Sequence, residues 1–128
     1  GRLLIAAGRV GDLYLDWLEI FDPATLRLEL LPARLQALRA GLKVNVLYDG
    51  RVLFSGGYDA ESVSSDVYVW NALLSGQLLS FKMTSPRRQH SATLLDDGRV
   101  LLAGGTDGKK DLDSAEIFDP TTNELTPL

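Results

Sequence analysis

Apolar residues run along this chain in short blocks, each closed by Gly, Asp or Pro, and nearly every block has strand character. His90-Ser91-Ala92-Thr93-Leu94-Leu95 predicts a strand, and Asp96-Asp97-Gly98 a tight turn whose Gly supplies the positive φ of a hairpin. Arg99 to Ala103 is almost wholly apolar, the pattern of a strand buried on both faces, and Gly104-Gly105 ends it. Ser114 to Phe118 alternates as a third strand. The turn Asp119-Pro120-Thr121-Thr122-Asn123 leads into a short fourth, Glu124 to Leu128. We call these strands A, B, C and D.

The same order occurs further up the chain. Lys43 to Leu47 predicts A, Arg51 to Ser55 B, Asp66 to Trp70 C and Gln77 to Phe81 D. The first unit opens at B (Leu3 to Ala6) and continues with C (Trp17 to Phe21) and D (Arg27 to Leu31). Its strand A is missing. Gly1-Arg2-Leu3-Leu4, Gly50-Arg51-Val52-Leu53 and Gly98-Arg99-Val100-Leu101 are copies of one stretch, repeating at about 50 residues, and a period of that size with several short strands per unit marks a propeller array. The intervals Gly8 to Phe21, Gly57 to Trp70 and Gly105 to Phe118 are equal, so the aromatic is expected in one recurring place, the wall between neighbouring sheets. Pro32 to Arg39 has helix formers. Register with the second unit makes it the D-to-A connection, with one helical turn at most.

Arg87, His90-Ser91-Ala92, Gly104-Gly105 and Phe118 together resemble the kelch family of β-propellers. Asp97-Gly98-Arg99-Val100-Leu101 and Glu116-Ile117-Phe118-Asp119-Pro120 are similar to its bacterial, galactose-oxidase-like branch. The second unit keeps Arg39, Gly56-Gly57 and Trp70 but has Leu42 in place of the His. The first has Ala7-Gly8 in place of the doublet, and Leu28 and Leu125 replace a second aromatic. The resemblance implies an all-β, kelch-type β-propeller, here a partial ring of about three four-stranded antiparallel blades with the first lacking its innermost strand. Expected blade boundaries are 1–34, 42–82 and 90–128. The resemblance also puts the D-to-A and B-to-C loops on one face of the disc, the face on which such proteins bind partners. Propellers of four to eight blades need roughly 200 to 400 residues, so 128 residues are expected to be a fragment or to close by self-association.

Composition narrows the function further. The net charge of −4, with no basic run, argues against nucleic acid or an anionic membrane as partner. No apolar run approaches the ~18 residues of a membrane span. No leader pattern is visible, and the chain opens inside a strand without Met, so a leader or more is expected to have been removed from in front of it. No Cys is present, which excludes disulfides and thiolate chemistry. The copper centre implied by resemblance to galactose oxidase needs two His and a Cys, and one His and no Cys cannot supply it. The resemblance leans toward a secreted or cell-surface setting over a cytoplasmic one.

The reading is therefore a non-catalytic module that binds a protein or glycan through its loops. The alternatives are a structural arc that self-assembles or completes a larger propeller, and part of a sugar-acting kelch enzyme. Candidate binding residues are Arg88, His90, Tyr58, Arg87, Arg39 and Asp107, with no catalytic residue, metal or cofactor. Arg39 and Arg87 recur in register. They either line the mouth of the axis for carboxylates or tie loop carbonyls and a loop carboxylate. Arg88 has no repeat equivalent and is the better ligand contact. His90, the only His, lacks the companions of a catalytic or metal site and is expected to bond loop backbone. The B-to-C loops Arg9 to Asp16, Tyr58 to Asp66 and Thr106 to Asp113 differ most between units. Tyr58 and Tyr14 are contact aromatics there, and the Asp residues, Asp107 among them, are turn formers without calcium-ligand spacing. Glu19 and Glu116 on strand C are read as a solvated or loop-bonding face.

Overall fold

The computed structural model describes residues 1–71 and 77–128. Alternation and turn chemistry produce strands throughout: β1 (Leu3–Val10), β2 (Leu13–Asp22), β3 (Arg27–Arg39), β4 (Lys43–Val46), β5 (Val52–Ser55), β6 (Asp66–Asn71), β7 (Gln77–Lys82), β8 (Ser91–Leu94), β9 (Val100–Ala103), β10 (Ala115–Asp119) and β11 (Glu124–Pro127). No helix occurs among the described residues. They form three antiparallel sheets, in the orders β1-β2-β3, β4-β5-β6-β7 and β8-β9-β10-β11. The protein is thus all-β, an arc of three antiparallel propeller sheets. The first sheet has three strands and the others four.

The turns form for the reasons their residues suggest. Asp49 Oδ1 accepts from Arg51 N at 3.0 Å and Asp97 Oδ1 from Arg99 N at 3.1 Å, each bracing a hairpin closed by a positive-φ Gly. Asp22 and Asp119 brace the C-to-D turns in the same way, through Ala24 N at 2.9 Å and Thr121 N at 2.8 Å.

The sheets pack face to face. Leu18 and Leu35 of the first sheet meet Val52, Phe54, Tyr68 and Trp70 of the second. Leu47, Leu53, Val67 and Val69 of the second, with Met83, meet Val100, Leu102 and Phe118 of the third. Trp70 and Phe118 lie in these walls, as their equal spacing predicts. Arg51 fastens the second wall from the other end of the strands: its guanidinium donates to Asn123 Oδ1 at 2.6 Å and to the carbonyl of Pro120.

Two segments of the first unit depart from expectation. Arg9 to Asp16 is no irregular loop. β1 and β2 continue to a two-residue turn at Gly11-Asp12, pairing Arg9 with Tyr14 and Val10 with Leu13. Gly at the first turn position, at φ 59°, is the reason. Pro32 to Arg39 has no helical turn, because period-two burial wins: Leu31, Ala33, Leu35, Ala37 and Arg39 alternate inward, with Leu35 and Arg39 buried. Pro32 is tolerated because β3 pairs on one side only.

Candidate functional site

The D-to-A connections and B-to-C loops meet on one face. Ala40 and Tyr58 exchange backbone hydrogen bonds at 2.9 Å each, and Arg88 and Thr106 exchange theirs at 3.0 Å each. The glycine pairs allow this approach. Gly57 and Gly105 hold φ of +93° and +82°. A Cβ on Gly57 would stand 2.7 Å from the Ala40 carbonyl, and one on Gly105 2.5 Å from the Arg88 carbonyl.

Beyond each pair the loop takes the same form twice. Asp59 Oδ1 accepts from the amides of Glu61 and Ser62, both at 2.8 Å. Asp107 Oδ1 accepts from those of Lys109 at 2.7 Å and Lys110 at 2.9 Å. These amide bonds hold both carboxyls below the usual aspartate range. The two equivalent loops then differ in charge, one presenting Glu61 and the other Lys109 and Lys110.

Between them lies a groove of about 550 Å³, lined by Tyr58, Asp59, Glu61, Pro86, Arg88, Asp107 and Lys109 among others. The Arg88 guanidinium lies 5.3 Å from the Tyr58 ring centroid, a cation–π contact that fixes the side chain. The ring of Tyr58 meets Tyr14 edge to face at 6.0 Å. On the far side of residues 59–61 a second hollow, about 400 Å³, is bounded by Tyr14, Leu13 and Leu38. Three of the six candidate residues, Tyr58, Arg88 and Asp107, therefore come together at one groove.

The other three lie beneath it. Arg39, 5% exposed, pairs with Asp66 and Ser64 and donates to the Gly56 carbonyl at 3.3 Å. Burial would raise the Asp66 carboxyl, but Lys82, Arg39 and Ser64 hold it at about 2. Arg87 is fully buried. It donates to the carbonyls of Gly104 at 3.0 Å and Ser114 at 2.9 Å, to Ser114 Oγ at 3.0 Å, and faces Glu116 at 3.4 Å. Glu116, itself buried, accepts from Thr84 N and Oγ1, so it binds the loop of the preceding sheet and is not a solvated carboxylate. His90 is 2% exposed, with Nε2 at 2.8 Å from the buried Ser55 Oγ. Burial, with Lys43 and Arg87 near, pushes its pKa down to about 4, so the ring is neutral near pH 7. Arg39, Arg87 and His90 make their contacts within the protein and present no accessible group to the groove.

Sequence reasoning missed Glu61, Lys109 and Pro86 as groove residues. Repeat register carries a signal for the first two, since Glu61 and Lys109 occupy equivalent loop positions with opposite charge. Among the described residues no group of three or more His, Cys, Asp or Glu is placed to hold a metal ion.

The family model described as the Kelch motif matches residues 87–124, which span the connection and sheet of the third unit. No curated protein matches the chain.

Proposed function

We propose that this chain is a non-catalytic interaction module that engages a protein or glycan through the face carrying the groove. The observation that carries this reading is the convergence of Tyr58, Arg88 and Asp107, from different loops, on one open groove of about 550 Å³. The Kelch motif in the third unit supports it, since such repeats serve as interaction propellers. The groove offers an aromatic ring, a stacked guanidinium and walls of opposite charge, which suits a polar partner with both signs of charge. A catalytic role gains no support from the single histidine, because His90 and its partner Ser55 are both buried away from solvent.

The test uses immobilised protein and a cell extract. Arg88→Gln with Lys109→Gln should release the captured species, while Arg27→Gln with Glu124→Gln, at the opposite ends of the strands, should retain it. Equal capture by both double variants overturns the reading.

A second reading, an arc that assembles with copies of itself or with further blades, is favoured by a separate observation. The outer side of the first sheet leaves Leu3 58%, Trp17 44%, Leu28 56% and Leu30 48% exposed. Light scattering across a dilution series checks it. A constant monomer mass at high concentration removes assembly with copies of itself.

A further inference from the structure

The groove on the loop face is walled by one loop built twice. Residues 58–63 and 106–111 close in the same way, Asp59 N donating to the Ser62 carbonyl at 3.0 Å and Asp107 N to the Lys110 carbonyl at 3.2 Å. Ser64 N then donates to the Gly57 carbonyl at 2.9 Å, and Leu112 N to the Gly105 carbonyl at 2.8 Å. Each aspartate takes the amides two and three residues on. Backbone and aspartate are therefore fixed by the fold, and the residue two places after the aspartate is presented alike in both loops.

That residue is Glu61 in one loop and Lys109 in the other. Both are exposed and both line the groove. Their amides serve the turn whatever side chain they carry. Among the described residues neither side chain makes a hydrogen bond or an ion pair, with the other or with any third group. The Arg88 guanidinium, which lines the same groove, also forms no ion pair, and its Nε is buried without a hydrogen-bond partner. Solvation would be served by the same charge on both loops, so the fold explains neither choice. A residue free of structural duty on a loop at a groove is one that recognition can use.

Charge decides what fits. A ligand lying across the groove meets a carboxylate at one wall and an ammonium at the other, with a free guanidinium beside them. A nucleic acid or an acidic glycan supplies one sign only, and Glu61, Asp59 and Asp107 would repel it. An extended polypeptide supplies both signs from side chains a few residues apart, at about 3.3 Å per residue.

We propose that the groove takes an extended peptide segment carrying one basic and one acidic residue, and that Glu61 and Lys109 set which way round it lies. The basic residue meets Glu61. The acidic residue meets Lys109 and Arg88. This rests on the interaction-module reading and narrows its partner to a polypeptide. Exchanging the two charges of the peptide would bring like charges together at both walls, so selectivity comes from repulsion as well as attraction.

The probe is a phage-displayed library of random dodecapeptides, selected on the wild-type protein and on Glu61→Lys. Wild type should enrich peptides with one acid and one base, and Glu61→Lys should enrich peptides with two acids. A selected wild-type peptide is then synthesised as found and with its acid and base exchanged, and binding is read by fluorescence anisotropy. The exchange should weaken binding to wild type by about fivefold or more, and Glu61→Lys with Lys109→Glu should restore it. These side chains hold no hydrogen bond or ion pair, so the variants keep the fold. Three results overturn the proposal. They are no enrichment, enrichment of single-sign peptides on wild type, and an exchanged peptide that the double variant fails to rescue. If one of them occurs while Arg88→Gln with Lys109→Gln still releases the species captured from extract, the module reading stands and its partner is not a peptide of this kind.

Discussion

Leu26 holds φ at 54°, a left-handed conformation that costs an L side chain about 1–2 kcal/mol, and it gains little in return because it is 78% exposed. The equivalent place in the third unit is Asn123, at φ 58°. Leu26→Asn should therefore stabilise the protein by about 0.5–1 kcal/mol, read as a higher urea midpoint with an unchanged slope. The buried titratable groups act through pH. The lowered pKa of His90 means that between pH 6.5 and about 4 the unfolded chain binds a proton that the folded chain refuses. Stability is then lost as pH falls through that window, by about 3 kcal/mol in full. Asp66, held at about 2, contributes stability above its unfolded value of 3.8, and this is lost as pH falls toward 2. Urea unfolding from pH 7 to 3 should show His90→Gln flattening the upper step and Asp66→Asn reducing the lower. If His90→Gln leaves the upper step intact, the assignment is wrong.

At the scale of elements, the glycine doublet of the third unit divides by what stands against each member. A Cβ on Gly105 meets the Arg88 carbonyl at 2.5 Å, whereas one on Gly104 finds nothing nearer than the Leu112 carbonyl at 3.7 Å. Gly105→Ala should cost more than about 3 kcal/mol, because backbone must move, and Gly104→Ala about 1–2 kcal/mol for its φ alone. Equal losses in chemical denaturation would contradict this account of the doublet. The A-to-B and C-to-D turns, most strands and the wall aromatics were legible in the sequence because local alternation and Asp-Gly or Asp-Pro chemistry decide them, whereas the β1–β2 hairpin at Gly11-Asp12 was read as a loop. β3 was not legible either, since Leu35 and Leu38 also fit a helical stripe, and only the first–second sheet wall reveals that Leu31, Ala33, Leu35 and Ala37 share one side. The groove was half legible. Tyr58 and Asp107 stand in the variable loops and Arg88 lacks a repeat equivalent, but the burial of Arg39, Arg87 and His90 depends on how closely the next unit's loop approaches, and no single unit records that distance.

Across the whole molecule, the three sheets are unequally secured. The second and third share a closed apolar wall, an inner-strand contact and the Arg51 bond to the Pro120 carbonyl. The first has one wall, three strands and a bare outer side. Amide exchange should report this as two levels, with β1 and β2 opening at lower free energy than β5, β6, β9 and β10. Uniform protection across all three sheets would show a single cooperative body.

The clasp that Arg51 makes on Asn123 gives that inequality a mechanical meaning. A molecule stretched between its two ends would not yield everywhere at once. Its leading hairpins would peel away at low force, and the rest would hold until that guanidinium let go, leaving a two-step trace whose second rupture should vanish into the first when Arg51 is shortened to alanine.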